Sequence, residues 1–179
     1  MSSLEAKLAD YQQLSRRPLK TNQQRVAKRL DRYRNKLENL IKEWNSIEND
    51  QDIEYSCFED IKKTLKEAHS LRKKTPNYVQ ADLDRTESGI YEHVIPVIDV
   101  ASLLIQGYIT ADQALNSPIC QISKDNDRLL EEKKLRQRTP DVYNFWKRYT
   151  ECFDIELTTY EGHPIDTNMT LDDHYKMFI

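Results

Sequence analysis

Seven apolar residues between Val26 and Ile47 fall on a strict beat. Val26, Leu30, Tyr33, Leu37, Leu40, Trp44 and Ile47 stand four, three, four, three, four and three residues apart. That alternation is the a/d seam of a packed helix. Extended back to Leu19, with Gln23 as a polar interruption, the seam predicts a helix roughly 40 Å long. A stripe this narrow differs from the wider apolar face of a helix lying on a globular core. Tyr33 and Trp44 are bulky for a parallel two-stranded seam and fit better where helices of different sequence meet. An antiparallel hairpin within the chain is therefore preferred to an intermolecular coiled coil, although the spacing alone allows both. The partner is the next stripe, Phe58, Ile61, Leu65, Ala68 and Leu71. Ser56-Cys-Phe-Glu59 reads as the capping box that opens it.

Elsewhere the pattern is less regular. Leu4, Leu8, Tyr11 and Leu14 mark a short amphipathic helix that stops before Pro18. Thr75-Pro76, Ser117-Pro118 and Thr139-Pro140 each pair an N-cap residue with a proline at the first helical position. They predict a long helix from 76 to about 106, broken near the Glu87-Ser-Gly89 stretch or continuous through it and kinked at Pro96, and further helices from 118 and from 140. Gly107 is placed as a helix-ending glycine. Thr110-Ala-Asp-Gln113 is a second capping box. From Phe153 the texture changes: "FDIELTTYEGHPI" alternates and turns at a glycine, which predicts a strand or hairpin, and "TLDDHYKMFI" predicts a last short helix. The expected fold is all-α: N-terminal helices with a coiled-coil hairpin (1–74), a helical bundle (75–153) and a C-terminal appendage with some β character (154–179).

Composition narrows the function. Hydrophobic residues make up 38% of the 179 positions and charged residues 32%, which suits long two-faced helices better than a compact α/β enzyme. Three glycines, widely separated, cannot build a phosphate-cradling glycine loop. Three scattered cysteines without a CxxC point to a reducing compartment, cytoplasm or nucleus. The first residues lack the apolar core of a signal peptide. The most apolar run, 94–109, is too short to span a bilayer and carries Asp99, so no membrane insertion is expected.

Charge divides the seam helix. Residues 16–36 hold nine basic side chains against the single acid Asp31, a net of +8, whereas 37–60 hold eight acids against Lys42, a net of −7. Recognised catalytic signatures are missing. Glu161, His163, Asp166, Asp172, Asp173 and His174 crowd the C-terminal segment, but their spacing matches no recognised metal site. No catalytic residue, metal or cofactor is therefore expected. The function expected is a non-catalytic scaffold, adaptor or assembly subunit that binds other protein chains, itself included, through helices. Leu30, Leu37, Leu40 and Trp44 form one expected contact surface, and Tyr143, Trp146 and Tyr149 a second. The alternative is a nucleic-acid-associated protein that holds phosphates with Arg16, Arg17, Arg25, Lys28, Arg29 and Arg32.

Overall fold

The computed structural model describes residues 22–83 and 89–179. The short helix expected around residues 4–14 lies outside them. Two long helices come first, α1 (Asn22–Ser46) and α2 (Gln51–Ser70). Between them Asn49 takes a left-handed φ of 55°, and the Asp50 carboxylate accepts from the amides of Asp52 and Ile53, both at 3.1 Å. This cap stands six residues before Ser56, the N-cap that the sequence suggested. Aspartate at the N-cap satisfies two amides that would otherwise be orphaned, and Asp52 and Glu54 in the first turn add charge of the right sign.

The two helices form an antiparallel hairpin, and the a/d seam is its inner face. Leu37 and Leu40 are buried with Cys57, Ile61, Leu65 and Ala68, while Leu30, Tyr33, Trp44 and Ile47 pack against the same cluster from its margin. Trp44 meets Phe58 with ring centroids 6.2 Å apart, and the Cys57 thiol donates to the Leu40 carbonyl.

Beyond the hairpin the all-α expectation is overturned. β1 (Tyr78–Gln80), β2 (Ile90–His93), β3 (Ile119–Ile122) and β4 (Leu157–Thr159) make a four-stranded mixed sheet in the order β2-β3-β1-β4. β1 and β3 are parallel, with Tyr78 beside Cys120; β2–β3 and β1–β4 are antiparallel. The fold is mixed α/β. The remaining described helices are α3 (Val97–Ile105), α4 (Ala111–Leu115), α5 (Lys124–Glu132), α6 (Lys147–Thr150) and α7 (Leu171–Phe178).

Side-chain bonds explain why the proline-led starts open strands and turns instead of helices. Arg72, buried at the end of α2, donates to the carbonyls of Leu115 and Ser117 and to Asn77 Oδ1. Asn77 Oδ1 also accepts the Ile119 amide, which brings the segments after Pro76 and after Pro118 side by side as β1 and β3. Ser117 turns its hydroxyl back to the Ala114 carbonyl, so it caps nothing ahead of it. Ser123, not Ser117, caps the helix that follows. After Pro140 the Asp141 carboxylate takes the amides of Tyr143 and Asn144, holding a turn until α6 begins at Lys147.

The β character expected near 154–165 is present as β4 and the Thr158–Pro164 bridge, and the last helix as α7. The Thr110 capping box is formed, and Gly107 carries a φ of 75° just past α3. One buried cluster joins the hairpin (Leu37, Ile61), the sheet (Tyr78, Ile122) and the C-terminal part (Leu157, Tyr175). At its centre Tyr78 meets Trp146 edge to face at 4.8 Å, and its hydroxyl pairs with His174 Nδ1 at 2.6 Å.

Candidate nucleic-acid interface

The basic half of α1 is the part of the hairpin least consumed by packing. Arg25, Lys28, Arg29, Arg32 and Lys36 are all exposed. At 100° per residue they fall within an arc of about 100° on one side of the helix. The apolar seam sits about a quarter-turn away. Asp31, the only acid between residues 22 and 36, is taken by Arg34 at 2.9 Å. Arg34 also holds Asp112 at the start of α4, and that hydrogen bond is the main reason its pKa lies above the ordinary arginine value. The five stripe residues make no ion pair among the described residues.

Trp44 opposite Phe58 and Leu40 opposite Cys57 fix the antiparallel register. On that register α1 residues before about 30 run past the last turn of α2. The same end receives the chain leaving α2, with Lys73 and Lys74 exposed. Like charges gather there. Glu43, Glu48, Asp50 and Asp52 are exposed at the other end, around the hairpin turn. From Arg25 to Lys36 the stripe is about 16 Å long, one cation every 4 Å or so of helix axis.

The expected contact residues are distributed differently. Leu37 and Leu40 are buried in the hairpin, and Leu30 and Trp44 pack on the same core. Trp146 and Tyr149 have no exposed surface at all. While the chain is folded this way, Leu37, Leu40, Trp146 and Tyr149 are core, Leu30 and Trp44 are partly buried against it, and Tyr143, 50% exposed, is the most outward-facing of the expected protein-contact set. It lines a groove of about 340 Å³ with Leu103, Tyr108, Val142 and Tyr175, and its hydroxyl donates to Asp172 at 3.1 Å. Of the expected phosphate-contact set, Arg25, Lys28, Arg29 and Arg32 are on the stripe, and Arg16 and Arg17 lie outside the described residues. Lys36 belongs to the stripe and was missed; projecting the basic run onto a helix would have found it.

The C-terminal acids and histidines do not converge. His174 is buried, with one ring nitrogen on Tyr78 and the other 2.8 Å from the Asn116 carbonyl. Asp173 accepts from the amide and hydroxyl of Thr170 as the cap of α7. Among the described residues no group of three or more His, Cys, Asp or Glu side chains is placed to hold a metal ion. Cys57 and Cys120 are buried free thiols, both held above the ordinary thiol pKa chiefly by burial. Among the same residues no helix is long and apolar enough to cross a membrane. Comparison with protein-family models, curated proteins and solved structures finds no match for this chain.

Proposed function

We propose that the protein is a non-catalytic, nucleic-acid-associated subunit that holds phosphates with Arg25, Lys28, Arg29, Arg32 and Lys36. One observation carries the reading: five exposed cations on a single arc of α1, with no carboxylate of the described chain matched to them. Ordinary solvated helix faces interleave both signs. A single-sign stripe attracts polyanions, and side chains without internal partners lose nothing by turning to a phosphate. The absence of aromatic side chains from the stripe makes the contact sequence-indifferent, since nothing there reads or stacks a base.

Fluorescence anisotropy with a labelled duplex and a labelled single strand tests it. The protein binds both at low salt, with little preference among sequences. The triple change Arg25→Glu, Arg29→Glu and Arg32→Glu abolishes binding and leaves the circular dichroism spectrum unchanged. Equal binding by the variant rejects the reading.

The groove at Tyr143 favours a second reading, an assembly subunit that pairs with another copy of itself. Tyr108 and Tyr143 are 73% and 50% exposed beside it, a large aromatic surface for a protein to leave in water. Light scattering on a sizing column decides this one. A dimer that survives high salt and disappears in Tyr143→Asp supports it, and a monomer throughout rejects it.

A further inference from the structure

On another part of the molecule a cleft of about 390 Å³ opens between α2, the end of β2, the start of α3 and the loop after α5. Lys62 and Lys66, one turn apart on α2, form one wall; Arg136 and Gln137 form another. His93 lies between them, and Pro96, Val97 and Ile98 bring the first turn of α3 to the cleft. Among the described residues the one carboxylate in the lining, Glu92, is bound to the fully buried guanidinium of Arg148, so its charge is matched from behind. Lys66 is exposed and makes no ion pair among the described residues. Lys62 touches Glu59, and Arg136 reaches Asp127 and Glu131 at 3.4 and 3.3 Å, contacts at the cleft's margin that a stronger anion can replace.

The backbone adds donors. Pro96 stands at the N-cap of α3 and supplies no capping side chain. The amides of Asp99 and Val100 turn back to the Pro96 carbonyl, while those of Val97 and Ile98 have no partner among the described residues. Free first-turn amides and the positive end of a helix favour an anion. Asp99, half-buried in that turn, is the opposing charge on α3, and Arg148 lies near enough to act on it.

Arg148 also fixes the shape. It donates to the carbonyls of Val94 at 3.1 Å and Leu135 at 2.7 Å, and also to those of His93 and Arg136, tying the β2 wall to the loop wall. His93 reports the local field: burial first, then the charges of Lys73, Arg148, Lys66 and Arg72, push its pKa down to about 4.

We infer that this cleft binds a phosphate group, with Lys62, Lys66 and Arg136 on its oxygens and the Val97 and Ile98 amides donating to it. The space exceeds what a bare phosphate fills, so the natural ligand is a phosphate ester, with room for the esterified group. That ester is carried by a small phosphorylated metabolite or by the phosphorylated end of a nucleic acid. The site shares no residue with the stripe on α1, so it stands or falls separately from the function proposed above.

Backbone amide spectra recorded during titration with inorganic phosphate, against chloride at matched ionic strength, test the assignment. Val97, Ile98 and His93 shift saturably in the wild type. Lys66→Glu, a change at an exposed position, weakens the binding about tenfold. The α1 triple-glutamate variant binds as the wild type does. Absence of saturable shifts at Val97 and Ile98, or equal affinity in Lys66→Glu, overturns the assignment. A sugar phosphate and a trinucleotide with and without a 5′-phosphate then separate the two sources. Tighter binding of the sugar phosphate than of inorganic phosphate assigns a metabolite. A gain that depends on the trinucleotide's 5′-phosphate assigns a nucleic-acid end.

Discussion

Arg148 has no exposed surface, yet it binds one carboxylate and four carbonyl oxygens. Desolvating a guanidinium is costly, and these bonds offset the cost. Burial raises the pKa of Glu92 even though Arg148 pulls it down, so the pair depends on both members being present. Arg148→Met strands a buried carboxylate and is expected to cost about 3–5 kcal/mol in urea unfolding. Glu92→Gln keeps a carbonyl oxygen facing the guanidinium and costs less. Equal stability of wild type and Arg148→Met would contradict the role given to this residue.

Three histidines set the acid limit. Burial is the first cause for each: His69 is lowered to about 3, His93 to about 4 and His174 to about 4. His69 and His93 also touch, with ring centroids 5.0 Å apart, and the charge of His93 adds to the lowering of His69. In the unfolded chain such groups titrate near 6.5, so the unfolded state takes up protons first as pH falls. Stability from these histidines is complete above about pH 6.5 and is lost as pH falls toward 4, at about 1.4 kcal/mol per pH unit for each. Unfolding midpoints measured between pH 7.5 and pH 4.5 should therefore drop steeply from about pH 6.5, above the range where carboxylates protonate. A flat profile down to pH 5 would mean that the rings are not buried neutral.

At the scale of elements, the hairpin was readable because its signal is long. Twelve apolar positions with a 3-4 beat leave few alternatives, and side chains of two helices account for nearly all of them. Leu37, fully buried between α1 and α2, is the most direct test. Leu37→Ala is expected to cost about 2–5 kcal/mol without changing the molecular mass in solution. Leu37→Asp should unfold the hairpin rather than dissociate an assembly. A variant that stays folded but falls apart into smaller species would move the seam back to an interface between chains.

Apart from β4, which lies in the alternating stretch after Phe153, the strands were not readable, for the opposite reason. β1 has three residues and β2 and β3 four each, too few for an alternation to separate from a helical period. Tyr78, Val79 and Gln80 are all buried, so β1 shows no alternation at all. Beside each of β1 and β3 stands a Thr-Pro or Ser-Pro pair that reads equally well as a helix start. What decides for strand is distant in sequence: Asn77 bonded to Ile119, and Arg72 bonded to Leu115 and Ser117. Short local devices fared better. The Thr110 box, Gly107 and the helix after Thr170 depend on neighbours within a few residues, and each is where the sequence suggested. The cleft was illegible throughout, since Lys62, the His93–Pro96 stretch and Arg136 come from three separate parts of the chain joined by a buried arginine.

Over the whole molecule, charge is arranged rather than abundant. The net charge is only −3, but the hairpin separates it, with cations at the end where the stripe lies and carboxylates around the turn. The turn repels the ligand that the stripe attracts, which would orient a rod-like polyanion toward one end of the hairpin. The seam, being packed inside the hairpin, leaves the basic face of α1 outward. That gives the fold's most regular feature a supporting role in the proposed function.

The salt dependence of binding to a labelled duplex reaches the central claim most directly. Five phosphate contacts predict a plot of log K against log salt with a slope of about −4.5, falling to about −2 when Arg25, Arg29 and Arg32 are replaced by alanine. A slope near zero, or one that the three changes leave alone, would contradict the account and take the phosphate-binding role away from α1.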